Sequence, residues 1–207
     1  MNNLTQYYIR DFRPTFLGLL TRLVYFGSNI KIGNNFRTDS IPKIICDKKA
    51  KVEIGNDVEF RRSIELRAHN NSNIKIGSST RIDRGVRILS TNNSIINIEN
   101  GARIGLYSVL NGGDSITIGK KTLLSGFVYL QTSMHAFSSK KISIQDQGFI
   151  HSPVVLEDDV WIGTHAVIMP GVSLGTGSIV GSNAVVTKSV NNYEVVTGIP
   201  AKPIKVR

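Results

Sequence analysis

The chain has 207 residues, 41% of them hydrophobic, which is enough for one domain with a real core. Its single cysteine, Cys46, excludes an internal disulfide framework, and neither CxxC nor HxxxH spacing indicates a metal site. The net charge of +10 favours anionic partners such as a polyphosphate cofactor, an acidic glycan, nucleic acid or anionic lipid. Solubility and a solvated basic face are an equally good explanation of that charge.

Residues 1–28 differ from the rest of the chain because their apolar residues recur near helical spacing. Pro14 should divide this segment into two helical pieces, or into an extended arm and a helix. The run from Phe16 to Phe26 contains Arg22, is too short to cross a bilayer and lacks a small-residue cleavage site. We therefore expect a cytoplasmic protein without a transmembrane span. The segment is predicted to cap the first coil of the following repeat, and the alternative is a basic amphipathic helix resting on a membrane surface.

A long repeat begins near residue 30, where Ile-Gly pairs recur at a fixed interval. Ile32, Ile54, Ile76 and Ile98 are each 22 residues apart, and Ile118 follows 20 residues later. Polar turn clusters separate the repeats, and between them apolar and polar residues alternate with the period of a β-strand. The clusters are 70–73, 92–94 and 112–114.

A shorter period of six covers residues 150–190 and does not fit a helix. It produces one aliphatic column and, four residues later, a column of mostly small residues. Such a repeat is typical of a β-helix solenoid, whereas an ordinary β-sandwich with chance spacing is the alternative. The first column is Ile150, Leu156, Ile162, Ile168, Leu174, Val180 and Val186; the second is Val154, Val160, Ala166, Val172, Ser178, Ala184 and Val190.

These patterns predict an all-β parallel solenoid of about seven coils over residues 29–195. The repeat is interrupted by a polar insertion at 131–150, and insertions in solenoids often lie on the functional face. Residues 196–207 are predicted to be a basic tail, because Pro200 and Pro203 stop further hexads.

Four histidines are candidates for a general base near neutral pH. His135 begins the insertion, which makes it the best placed of the four, although a packing role in the loop is the alternative. We interpret His69 as a solvated turn residue, His151 as structural, and His165 as lying on a face of a coil.

The sequence VWIGTHAVIMPGVSLGTGSIVGSNAVVTKSV, followed by VVTGIPAKPI, resembles the hexapeptide-repeat acyltransferase superfamily, closest to its sugar and antibiotic O-acetyltransferases. The match is close over residues 118–207 and extends to 30–117 in pattern only. The resemblance implies a left-handed β-helix, a homotrimer, and acetyl-CoA bound between neighbouring prisms, with no metal required.

The resemblance also implies roles for individual residues. His135, about eighteen residues after Ile118-Gly119, matches the catalytic histidine, although Ala136 stands where many members have proline. Trp161 would line the end of the acetyl-CoA site that holds the acetyl group and the pantetheine. The backbone amide of Gly163 or Thr164 would donate to the oxyanion. Asn111 is the nearest match to an acidic or amide residue that orients the base or acceptor in some relatives. The positions that match the coenzyme channel are Ser182, Thr187, Lys188 and Lys205, and Lys202 adds charge for phosphates.

The leading hypothesis is an acetyl-CoA-dependent O-acetyltransferase that acts on a hydroxyl of a surface glycan, such as a capsule or O-antigen, by direct transfer.

Three alternatives remain open. An amino-sugar N-acetyltransferase would use the same site. A metal enzyme of the carbonic-anhydrase type would need three converging imidazoles, which the histidine spacing does not support. A non-catalytic solenoid would bind an acidic polymer or a membrane, and its interactions would weaken with salt. We do not expect nucleic acid as the partner.

Overall fold

The computed structural model describes residues 3–207, in which an N-terminal helical segment precedes a column of mainly parallel strands that form three sheets around one core. Between Ile30 and Val186, apart from one hairpin, successive strands in the chain belong to different sheets, and each strand pairs with the equivalent strand of the neighbouring coil. This arrangement is a parallel β-helix of about seven coils, consistent with the left-handed β-helix that the resemblance implied. The alternative of a β-sandwich is wrong.

The three sheets are named here the first, second and third faces, in the order in which the chain enters them. The first face contains Ile30–Ile32, Lys51–Ile54, Asn73–Ile76, Ile95–Ile98, Ile116–Ile118, Val154–Leu156 and Ser173–Leu174. The second contains Arg37–Thr38, Glu59–Phe60, Arg81–Ile82, Arg103–Ile104, Leu123–Leu124, Trp161–Ile162, Ile179–Val180, Glu194–Gly198 and Ala201–Val206. The third contains Lys43–Cys46, Glu65–Ala68, Arg87–Ser90, Val109–Gly112, Tyr129–Gln131, Val167–Ile168 and Val185–Val186.

The repeated isoleucines stack because they occupy equivalent positions of successive coils. Ile98 pairs with Ile76 on one side and with Ile118 on the other, and Ile118 pairs with Leu156 of the next coil. All four side chains are buried. Because side chains alternate along a strand, burying one column leaves the intervening polar residues in solvent. The second column, from Val154 to Val190, is also buried.

Ile150 does not belong to the stacked column, so the predicted six-residue pattern is wrong at its first residue. Its side chain is 56% exposed, and it lies in a separate antiparallel pair of strands, Ser133–His135 and Phe149–His151. The insertion therefore includes this hairpin, and a 3₁₀ turn at Ile144–Gln147 lies between its strands. The regular coils resume at Val154.

The N-terminal segment is helical from Asn3 to Val24. It comprises the α-helix Asn3–Tyr7, the π-helix Tyr8–Phe12 and the α-helix Arg13–Val24. Pro14 follows the π-helix directly, and Phe12 and Arg13 keep helical backbone angles, so it does not divide the segment into separate pieces. The Arg10 carbonyl, four residues before Pro14, accepts a hydrogen bond from the Arg37 side chain instead of from the N–H that proline lacks. Tyr25 anchors the end of the helix to the coils through its hydroxyl, which donates to the Pro42 carbonyl at 2.8 Å. Within residues 3–207 no helix is long and apolar enough to cross a bilayer.

The C-terminal residues form structure rather than a free tail. Glu194–Gly198 joins the second face in parallel, and Ala201–Val206 then returns antiparallel to it. Arg207 donates to the Asp159 carboxylate at 2.8 Å, which ties the end of the chain to an earlier coil.

Glu65 carries the strongest local electrostatic effect on the third face. Arg67 and Arg87 donate to its carboxylate at 2.6 and 2.8 Å, and the Lys43 ammonium lies 3.1 Å away. The hydrogen bonds from Arg67, with those from Lys43 and Arg87, lower the pKa of Glu65 to about 2, against the opposing effect of burial.

We expect Glu65→Gln to lower the free energy of unfolding by about 1–2 kcal/mol near neutral pH. Because the folded-state pKa lies below the unfolded value, the stabilisation is complete above the unfolded pKa and is lost as the pH falls toward 2. Urea unfolding at neutral and acidic pH measures the difference. Glu53→Gln, at an exposed position on the first face, is the control; an equal loss in both variants would contradict the prediction.

Candidate active site

The predicted base, His135, lies on the hairpin that protrudes between the third and first faces. The chain leaves the third face after Gln131 and enters the first face at Val154. Between them, Ser133 pairs with His151 and His135 pairs with Phe149. The Ser152 N–H donates to the Thr132 carbonyl at 2.9 Å and closes the base of the hairpin. The insertion therefore presents His135 on an ordered strand rather than on a loop without structure.

Side chains alternate along both strands of the hairpin, so they are divided between its two sides. Ser133, His135, Phe149 and His151 share one side, because cross-strand partners and residues two apart point the same way. The rings of His135 and Phe149 lie 4.2 Å apart between centroids. His151 Nδ1 lies 2.8 Å from the Ser133 hydroxyl, so this second imidazole is oriented by a local hydrogen bond.

The imidazole of His135 is exposed and held only by packing. Within residues 3–207 no hydrogen bond to its ring nitrogens is formed. Phe149 restricts one side of the ring, whereas the nitrogens stay open to an incoming hydroxyl. A general base needs this combination of fixed orientation and an accessible nitrogen.

The predicted acetyl pocket lies at a different corner, between the second and third faces. Trp161 ends up outside the core with 48% of its surface exposed, and its indole N–H donates to the Ser125 hydroxyl at 3.4 Å. The Thr164 hydroxyl donates to the Gly126 carbonyl at 2.8 Å. These bonds fix Trp161 and Thr164 against the preceding coil.

The two amides proposed for the oxyanion differ in availability. The Gly163 N–H already donates to the Val180 carbonyl of the next coil at 2.8 Å, so it cannot serve without breaking the ladder. The Thr164 N–H has no acceptor in the described part of the chain. Of the two candidates, only Thr164 therefore retains a free donor.

Within one chain, His135 and Thr164 stand at opposite edges of the third face. This face takes about five residues per coil, which corresponds to roughly 15 Å of extended backbone. A thioester held beside Thr164 would lie beyond the reach of a hydrogen bond from the same chain's His135. The two halves of the predicted site do not meet inside one prism.

The predicted coenzyme residues separate into two groups. Thr187 and Lys188 line a cleft of about 330 Å³ together with Lys202, between the end of the third face and the C-terminal hairpin. Ser182 lies in an exposed turn at the corner before the third face, and Lys205 lies on the returning strand. Neither lines this cleft.

Asn111 lies on the third face beside the start of the insertion. It pairs with Gln131, and its side-chain amide donates to the Tyr129 hydroxyl at 3.1 Å. It is thus near the strand that leads to His135, although its amide is engaged with Tyr129.

An exposed aromatic column at the corner of the second and third faces was not predicted. Phe127 stacks on Tyr107 at 5.5 Å and on His165 at 4.7 Å, and all three residues have positive φ. His165 therefore lies at a corner, which corrects its predicted position on a face. The signal was present in the sequence, since Tyr107 and Phe127 are separated by the same 20 residues as Ile98 and Ile118.

The remaining histidine, His69, is half-buried beside a turn, where its Nδ1 lies 3.1 Å from the Asp47 carboxylate of the preceding coil. The hydrogen bonds from the Asn70 backbone and from His69 lower the pKa of Asp47. Across residues 3–207 no three His, Cys, Asp or Glu side chains form a group that could hold a metal ion.

Comparisons with known proteins agree with the repeat and with the fold. Residues 153–188 match the family model described as bacterial transferase hexapeptide (six repeats). The putative lipopolysaccharide biosynthesis O-acetyl transferase WbbJ of Escherichia coli K12 is 34% identical over 99 residues, covering 44% of this chain and 50% of that protein. The chain spans half or less of the length of the curated relatives it matches.

Two kinds of solved structure share the fold. The polySia specific acetyltransferase NeuO is 25% identical with a TM-score of 0.64, covering 86% of this chain and 79% of that one. A mutant of AntD, an N-acyltransferase from Bacillus cereus in complex with dTDP and coenzyme A, is 23% identical with a TM-score of 0.61, covering 90% and 88%. The second likeness shows the fold alone. The hexapeptide repeat at 153–188, the stacked parallel sheets and these acetyltransferase relatives confirm the resemblance to the hexapeptide-repeat acyltransferases.

Proposed function

We propose that this chain is an acetyl-CoA-dependent O-acetyltransferase that acts on a sugar hydroxyl of a surface polysaccharide, such as a capsule or O-antigen. The observation that carries the proposal is the accessible imidazole of His135 on an ordered hairpin that interrupts a hexapeptide-repeat solenoid. The names of WbbJ and NeuO, an O-acetyl transferase and a polySia specific acetyltransferase, support a glycan acceptor. A cytoplasmic location stays a prediction.

The reaction follows from the chemistry of the groups. A neutral His135 accepts the proton of the sugar hydroxyl as that oxygen attacks the thioester carbon of acetyl-CoA. The carbonyl oxygen becomes an oxyanion, and the free Thr164 N–H is the donor best suited to hold it. Collapse of the tetrahedral species breaks the carbon–sulfur bond, and the imidazolium returns its proton to the leaving thiolate. Acetyl passes directly to the acceptor, with no covalent enzyme intermediate.

A homotrimer is part of the proposal because the two halves of the site do not meet within one prism. His135 lies at one edge of the third face, and Trp161 and Thr164 lie at the other. Side-by-side packing of identical prisms with cyclic symmetry brings one edge of a chain against the other edge of its neighbour. The acetyl group would then lie in the seam between two copies, within reach of His135 from one and Thr164 from the other.

The coenzyme would bind along the same seam, toward the C-terminal coils. Lys188 and Lys202 place two ammonium groups at one cleft beside the exposed Thr187 hydroxyl, and such groups suit the phosphates of coenzyme A. Lys205 and Ser182 remain candidates for contacts outside that cleft. The coenzyme A in the AntD structure is consistent with an acyl-CoA co-substrate.

The second candidate is N-acetylation of an amino sugar, which the N-acyltransferase AntD favours. An amine acceptor would need the same base and the same oxyanion donor, so the site geometry does not separate the two. The product does, because an ester is cleaved by mild base and an amide is not.

The test is an assay of thiol release from acetyl-CoA with matched acceptors, one polysaccharide with free hydroxyls only and one amino sugar. We expect turnover with the hydroxyl acceptor and a product whose acetyl group is lost in mild base. A base-stable product would support the N-acetyltransferase. Binding of the glycan without binding of acetyl-CoA in calorimetry would contradict both proposed acetyltransferase activities and would support a non-catalytic solenoid.

A further inference from the structure

The N-terminal helix carries its large apolar side chains on the outside of the molecule. Tyr8, Phe12 and Phe16 stack in sequence, with ring centroids 5.9 and 6.2 Å apart. We name this exposed row the apolar ridge; its members are Leu4, Tyr8, Phe12, Phe16, Leu19, Leu23 and Phe26, each at least 52% exposed. The apolar stripe therefore does not supply the contact between the helix and the first coil.

Small residues form the contact with the coils instead. Pro14, Gly18 and Thr21 are the buried residues of the helix Arg13–Val24. Gly18 lies so close to the Phe36 carbonyl that an added Cβ would overlap it. This close approach fixes the rotation of the helix about its axis. The ridge consequently cannot turn inward, and burial of its apolar surface requires a partner.

Positive charge accompanies the ridge. Arg10, Arg13 and Arg22 lie on the helix, and its one acidic residue, Asp11, is paired with Arg37. Arg37 also donates to the Arg10 backbone carbonyl. Arg10 and Arg13 line a cleft against the coils that also contains Asp39 and Glu59, whereas Arg22 lies beside ridge residues at the other end of the helix. A cation beside an exposed apolar stripe is the pattern of a helix that lies in a membrane interface.

A groove at the open end of the solenoid continues the ridge. It has a volume of about 640 Å³ and is lined on the helix side by Leu19, Leu23 and Phe26. Arg22 and Lys31 lie on its wall. An apolar groove with two cations suits the acyl chains and the phosphate of an anionic lipid.

We propose that the apolar ridge and this groove dock the protein on a membrane surface that contains anionic phospholipid. The helix lies in the plane of the interface with the aromatic rings at the level of the headgroups, and Arg22 and Lys31 contact lipid phosphates. A second copy of the chain is the weaker choice of partner, because packing two ridges together would bring like charges together in a chain that already carries +10. Anionic lipid is complementary to that charge.

The test is co-sedimentation of the full chain with vesicles of phosphatidylcholine, with and without phosphatidylglycerol. We expect binding to the vesicles with phosphatidylglycerol that weakens as salt increases. Phe16→Ser with Leu23→Ser should lower the partition coefficient by about tenfold or more, since two large apolar groups leave the interface. Arg22→Gln with Lys31→Gln should reduce the preference for phosphatidylglycerol.

The matched control changes two exposed apolar residues at the other end of the chain. Ile204 and Val206 are 61% and 71% exposed on the C-terminal strand, and Ile204→Ser with Val206→Ser should leave vesicle binding unchanged. Equal loss in the control, or unimpaired binding of the ridge variant, would overturn the proposal. A drop in the oligomer mass of the ridge variant by light scattering, without any change in vesicle binding, would assign the ridge to contacts between copies.

Discussion

Replacing His135 with alanine should lower kcat for acetyl transfer by about 10²–10⁴-fold while the KM for acetyl-CoA stays nearly constant. The imidazole acts only on the acceptor proton as the hydroxyl attacks, so its loss affects the transition state and not the binding of coenzyme. A tilted ring contact with Phe149 positions the imidazole on the exposed hairpin, and removing the imidazole creates no cavity in the core. Release of the coenzyme A thiol under saturating acetyl-CoA measures the effect.

Two histidine variants serve as controls for this result. His69→Ala removes an imidazole beside Asp47, on a different coil from the insertion, and should leave kcat unchanged. His151→Ala removes the hydrogen bond to Ser133 on the same hairpin but leaves His135 in place. It therefore tests whether the orientation of the hairpin affects kcat when the base is still present. Full kcat in His135→Ala, or a loss in His69→Ala as large as in His135→Ala, would remove His135 from the mechanism.

The stacked core could be predicted from sequence because the geometry of the repeat is local. A strand presents every second residue to one face, so Ile76, Ile98 and Ile118 at a nearly fixed interval have to stack if the coils are parallel. The mouth of the insertion was also predictable, since the regular spacing fails after Leu130 and His135 follows within five residues.

Counting residues was insufficient where the chain leaves the coils. Ile150 continues the six-residue interval backward from Leu156, yet it belongs to the hairpin and is exposed. A period records where apolar residues occur, but it does not record which sheet a strand joins. The last strand shows the same limitation, because Ala201–Val206 pairs antiparallel with its neighbour although its sequence suggested a tail.

Orientation and hydrogen-bond partners depend on contacts that are distant in sequence. Helical spacing predicted the N-terminal helix, whereas its rotation depends on how closely Gly18 approaches Phe36. In the same way, the Gly163 N–H was a plausible oxyanion donor until its partner, the Val180 carbonyl of the next coil, was known. Neither contact has a local sequence signal.

Truncating Ile118 to alanine should lower the free energy of unfolding by about 2–4 kcal/mol, the usual cost of an aliphatic-to-alanine change at a site that cannot collapse. Ile118 is fully buried, and it pairs with Ile98 on one side and with Leu156 on the other. The parallel strands on either side hold their spacing through the backbone ladder, so the cavity persists. Urea unfolding at a fixed protein concentration, with comparable slopes in both proteins, measures the loss.

The neighbouring residue provides the control, since Thr117 occupies the same strand and points away from the core. Thr117→Ala keeps every ladder hydrogen bond and removes only half-buried atoms outside the core, so it should change stability by less than about 1 kcal/mol. Coils in a solenoid contact only their neighbours, so a cavity at Ile118 weakens the contacts of its coil with the coils on either side. An equal effect of the two substitutions would mean that the stacked aliphatic column does not hold the coils together.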